Sequence, residues 1–131
     1  MKKLLMFEFN SLPAALAVDR AMAPFDVEVV PVARKNYNKL LEDLVDDWSD
    51  VYDENAETED YTGGPLGGRM IVLCGVEDQL DELLPALREA GAGPDCLKAV
   101  LTVHNKEWTP LALFEELNRE REAIQRKQGK A

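Results

Sequence analysis

Short apolar runs alternate with apolar stripes at helical spacing along this chain. Leu4 to Phe9 is too short for a buried helix and reads as a buried strand. Ser11 is a candidate N-cap, and Pro13 sits where a first helical turn tolerates proline. The helix that follows carries Leu12, Ala15, Leu16 and Met22 on or near one face, and Pro24 ends it. Val27 to Val32 is rich in β-branched residues and predicts a second strand. Pro31 cannot donate a ladder hydrogen bond, which places that strand at a sheet edge. After the loop Ala33-Arg34-Lys35-Asn36, the residues Leu41, Leu44, Val45, Trp48 and Tyr52 recur at helical steps and predict a second helix fading near Asp53.

Periodicity is lost from Glu54 to Gly68. That acidic segment contains Gly63-Gly64-Pro65-Leu66-Gly67-Gly68 and reads as a flexible linker. Met70 to Val76 is a very apolar third strand, followed by Asp78 as a candidate N-cap and a stripe of Leu80, Leu83, Leu84 and Leu87. Pro85 is expected to kink this helix, and Gly91-Ala92-Gly93-Pro94 to end it. Leu97 to Val103 is a fourth strand, and His104 to Glu107 a loop. Thr109-Pro110 begins a last helix carrying Leu113, Phe114, Leu117 and Ile124.

Each half therefore reads strand, helix, strand, helix. Residues 30–37 align with residues 101–108, so that Val32 meets Val103, Lys35 meets Lys106 and Tyr37 meets Trp108. An aromatic before each helix start suits a hydrophobic staple, and the shared spacing favours internal duplication. The expected organisation is one domain of residues 1–131, with a first unit at 1–53, a linker at 54–68 and a second unit at 69–125. The fold class is α/β. The first and third strands are the most continuously apolar and should be central, while Pro31 and Lys98 mark the edges, giving the order 2-1-3-4 with helices on both faces. A parallel sheet is the first expectation. A mixed sheet with pseudo-two-fold symmetry is the alternative.

The second half also resembles a family of short bacterial proteins of unknown function. The resemblance rests on Met70-Ile71-Val72-Leu73, Asp78-Gln79-Leu80-Asp81-Glu82-Leu83-Leu84, Ala99-Val100-Leu101-Thr102, Trp108-Thr109 and Leu113-Phe114-Glu115-Glu116-Leu117. It covers roughly residues 69–122 and departs from the family at His104. It implies no reaction, cofactor or catalytic residue.

Charge narrows the options. Acids outnumber bases 25 to 15, a net charge of −10, so no basic face is available for nucleic acid. No apolar stretch approaches the roughly 20 residues a membrane span needs. Glu8, Asn10, Pro13 and Asp19 interrupt any signal-like start, and a cytoplasmic protein is expected. The two cysteines, Cys74 and Cys96, offer no zinc or redox spacing; parallel neighbouring strands would hold them too far apart to bridge. The acids Asp43, Asp46, Asp47, Asp50, Asp53 and Glu54 lack calcium-loop spacing, so a solvated helix face is expected and no metal or cofactor.

In a parallel sheet of this order, ligands would bind at the carboxyl ends of the central strands. That crevice would be lined by Asn10, Ser11, Gly75 and Glu77, flanked by Arg34 and Lys35 on one side and His104, Asn105 and Lys106 on the other. Such a basic cluster with helix N-termini suits a small anion or a nucleotide. His104, the only histidine, is the weak candidate for a general base, with Glu107 the only local acid. No nucleophile–base pair, metal cluster or phosphate loop is evident. The leading expectation is a non-enzymatic interaction or regulatory module with a protein partner or a second copy of itself. The acidic middle and the basic residues Arg119, Arg121, Arg126, Lys127 and Lys130 suit such pairing between copies. A small-anion sensor and a small enzyme using His104 are the alternatives.

Overall fold

The computed structural model describes residues 2–46, 61–93 and 95–129. Four strands, β1 (Lys3–Phe7), β2 (Glu28–Pro31), β3 (Met70–Cys74) and β4 (Leu97–Val100), form one sheet in the order β2-β1-β3-β4. The helices are α1 (Leu12–Met22), α2 (Leu41–Asp46), α3 (Leu80–Glu89) and α4 (Pro110–Gly129). The expected strand order holds, with Pro31 and Lys98 on the edge strands.

Strand direction corrects the parallel expectation. β1 pairs in parallel with β2 and β3 with β4, but β1 and β3 are antiparallel, with Leu5 opposite Val72. The sheet is mixed. Antiparallel ladders are slightly the more stable per residue, and here one joins the two most apolar strands. Every residue of β1 and β3 is buried, which is why both read as unbroken apolar runs. Leu4, Met6, Ile71 and Leu73 pack with Val18 and Met22 of α1 and Leu83 and Leu87 of α3. On the opposite face Leu5, Phe7, Met70 and Val72 pack with Tyr37, Leu41 and Leu44 and with Leu113 of α4.

The ladder repeats between halves. The Glu28 and Val32 amides donate to the Lys2 and Met6 carbonyls, as those of Leu97 and Leu101 do to Arg69 and Leu73. This register equates Val32 with Leu101 rather than Val103. Two extra residues between Leu101 and Trp108 account for the shift.

Several element boundaries differ from expectation for local reasons. Leu12 and Leu16 are 70% and 42% exposed, and the buried stripe of α1 is Val18 and Met22 with Ala15 partly buried. Ser11 has the extended N-cap backbone but makes no side-chain cap bond. Asp78 lies inside a 3-10 turn, Glu77–Gln79, so α3 starts at Leu80 and runs unbroken through Pro85. Gly91, at φ 99°, closes α3: its amide reaches the Arg88 carbonyl and that of Ala92 the Leu87 carbonyl, a Schellman ending. Thr109 caps α4 as expected, its Oγ1 accepting from the Ala112 amide at 3.2 Å. Trp48, Tyr52, most of the acidic run and the first part of the expected linker lie outside the described residues. The described part of that linker is packed: Tyr61 lies 6.0 Å from Tyr37, ring to ring, and its amide donates to the Lys35 carbonyl.

Candidate functional site

The antiparallel centre splits the expected crevice. Because β1 and β3 run oppositely, the segments after their carboxyl ends leave from opposite ends of the sheet. Asn10, Ser11, Arg34 and Lys35 follow β1 and β2. Gly75, Glu77, His104, Asn105 and Lys106 follow β3 and β4. The four basic or titratable side chains do not form one cluster at one crevice. Lys106 instead stands 4.0 Å from Glu42 at the start of α2.

At the β1–β2 end lies a cleft of about 270 Å³, lined by Met6, Glu8, Phe9, Asn10, Pro31, Val32, Ala33, Arg34 and Tyr37. Glu8, the first residue past β1, has a left-handed backbone with φ 65°. Its counterpart past β3 is Gly75, at φ 72°. A β-carbon in this conformation costs roughly 1–2 kcal/mol, so the glutamate has to be held. Its Oε2 accepts from the Leu66 amide at 3.1 Å, and its carboxylate accepts from the Tyr37 hydroxyl. Tyr37 is only 1% exposed, with Phe7 and Tyr61 each 6.0 Å away, centroid to centroid. Burial first, and then the neighbouring Glu8 charge, push the Tyr37 phenol well above its usual range, with the Arg34 guanidinium pulling the other way. Arg34 and Asn10 are exposed, and among the described residues neither side chain has a hydrogen-bond or ion-pair partner.

Sequence reasoning missed Glu8. The available signal is the repeat itself: aligning the two strand ends sets Glu8 against a glycine, where only a side chain with a task is worth its strain.

The β3–β4 end is a loop fixed by its own polar side chains. The Asn105 Oδ1 accepts from the Thr102 amide at 2.8 Å, and the Thr102 Oγ1 accepts from the His104 and Asn105 amides. The Asn105 Nδ2 donates to the Val100 carbonyl at 3.1 Å, which ends β4 earlier than its apolar run implies. The loop is tied to α2, whose Leu41 and Glu42 amides donate to the Trp108 and Lys106 carbonyls at 2.9 Å each. Val103, 77% exposed, and Trp108, 38% exposed, are left facing solvent. His104 is exposed, and among the described residues no carboxylate is hydrogen-bonded to its ring. Cys74 and Cys96 are buried and unbridged, at opposite ends of the β3–β4 pair. Burial is the main cause that raises the Cys96 thiol. Among the described residues no metal-holding group of His, Cys, Asp and Glu occurs, and no helix is long and apolar enough to cross a membrane.

Residues 69–124 match DUF3783, a domain of unknown function. The DUF3783 region begins one residue before β3 and ends within α4, so it contains the whole polar-locked loop and leaves β1, α1, β2 and α2 outside. No curated protein and no solved structure matches the chain.

Proposed function

We propose that the protein is a non-enzymatic interaction module that presents the loop after β4, within the DUF3783 region, to a protein partner. One observation carries this reading: a large apolar side chain, Val103, stands 77% exposed on a loop whose backbone is already fixed by Thr102 and Asn105. A fixed loop has little conformational freedom left to lose on docking. Trp108, on the same loop and 38% exposed, is of the residue type that most often anchors an interface. His104 and Lys106 supply a polar rim, and the net charge of −10 suits a partner with a basic surface. The unbridged thiols suit a reducing, cytoplasmic setting. The repeated ladder supports an origin by duplication, after which the two strand ends diverged.

The test is affinity capture from a cell extract with quantitative mass spectrometry, comparing wild type with Val103→Asp and with Trp108→Ser. Proteins held by the wild type should fall at least ~10-fold in both variants, the loss expected when an anchor worth about 1.4 kcal/mol is removed. An Arg34→Gln control, at the opposite edge, should retain them. No enriched protein, or an unchanged set in both loop variants, overturns the reading.

A further inference from the structure

We propose that the cleft at the carboxyl ends of β1 and β2 binds a small zwitterion of the α-amino-acid class. The argument starts from charges that share one cavity without pairing. Glu8 and Arg34 both line the cleft of about 270 Å³, yet no Glu8–Arg34 ion pair forms within 4.0 Å. Each charge shapes what can enter. A plain anion suits Arg34 but meets the Glu8 carboxylate, and a plain cation meets the guanidinium. A molecule carrying both signs satisfies both walls.

The two groups are prepared differently. The Glu8 carboxylate is held in place by the Leu66 amide and the Tyr37 hydroxyl, on a backbone whose left-handed φ of 65° aims it from the strand end. It is a preorganised acceptor for an ammonium group. Arg34 makes no hydrogen bond among the described residues, and its planar fork suits a carboxylate in two-point contact. Asn10 adds a carboxamide that has no hydrogen-bond partner among the described residues. The first amides of α1, an 11-residue helix, receive no side-chain cap from Ser11 and lie just after Asn10 in the chain. Met6, Phe9, Pro31 and Val32 give the cleft apolar walls for a side chain. The opposite strand end carries Gly75 at the place of Glu8, so the charged pair belongs to the first half only.

Isothermal titration of the full chain with glycine, L-alanine, L-leucine and L-glutamine tests the proposal, with acetate and methylammonium as single-charge controls. At least one amino acid should bind saturably. Arg34→Gln and Glu8→Gln should each weaken it ~10-fold or more, the size of one charged hydrogen bond. Neither control should bind comparably. Glu8→Gln keeps an acceptor for Leu66 and Tyr37; should that variant fail to fold, the exposed Arg34 decides alone. No binding of any of these amino acids at millimolar concentration overturns the proposal, as does unchanged binding in Arg34→Gln. Acetate binding as well as the amino acids makes the cleft a plain anion site and likewise overturns it.

Discussion

Glu8 separates backbone strain from side-chain benefit in a single position. Glu8→Ala keeps the left-handed β-carbon and deletes the bonds to Leu66 and Tyr37, so it should cost about 1–3 kcal/mol. Glu8→Gly deletes the same bonds but removes the strain, and should be more stable than the alanine variant by about 1 kcal/mol. Urea unfolding of both variants decides: a glycine variant no better than alanine means the left-handed backbone is not strained. Tyr37 makes the matching prediction in pH. Its phenol is raised in the folded state above the value of about 10 that it has unfolded. The stabilisation from keeping it neutral is therefore complete below about pH 10 and is lost as pH rises beyond that. Stability measured from pH 9 upward should fall more steeply for wild type than for Tyr37→Phe; parallel curves would mean that the phenol does not titrate differently in the two states.

The elements show how far a sequence pattern reaches. Strand order is legible because it rests on local exclusions: Pro31 cannot sit inside a sheet, and a lysine in β4 fits an edge. Lys98 plays that part, its ammonium donating to the Gly93 and Cys96 carbonyls beside the edge. Strand direction is not legible, because alternation and apolar runs read the same for either direction of the partner. The α1 stripe fails because Leu12 and Leu16 satisfy a helical period as well as Val18 does, and only the neighbours choose between faces. Of the residues that line the β1–β2 cleft, Asn10 and Arg34 are legible as loop positions after strand ends, whereas Glu8 is hidden in an apolar run with its partner Leu66 58 positions away. Lys3 is hidden in the same way. It is buried in β1 and donates to the Val45 carbonyl of α2 at 2.6 Å, 42 positions away. Lys3→Ala should therefore destabilise by about 1.5–3 kcal/mol, a charged hydrogen bond's worth, with Lys3→Met recovering part through its apolar stem. Thermal unfolding of the two variants checks this; equal loss in both would assign the whole effect to the charge.

Across the whole molecule, the two halves are related by an approximate two-fold axis through the Leu5–Val72 pair. Even the cavities at the amino ends of the strands correspond: Lys2, Asp26 and Val27 line one, and Arg69, Asp95 and Cys96 line the other. These are features of the repeated framework, whereas the charged cleft and the exposed loop are where the halves differ. The DUF3783 region spans only the second half, so in isolation it would bare the β3 edge that β1 covers here. A bare, fully apolar edge strand recruits another strand. The first half shows which strand fits, because β1 meets β3 antiparallel about a near two-fold. A second β3 in place of β1 sets Ile71 against Leu73 on one face and Met70 against Cys74 on the other, around a central Val72 pair. Every substituted position stays apolar, and even the buried Lys3 is replaced by Met70. Helices α3 and α4 of the second copy would take the places of α1 and α2 on their respective faces. Residues 69–131 expressed alone should therefore form a dimer with strand order 4-3-3-4, measured as twice the chain mass by light scattering after size exclusion. Val72→Lys, at the centre of that pair, should abolish the dimer. A folded monomer would show instead that the β3 edge needs no partner, and that β1 is an addition to a unit already stable without it.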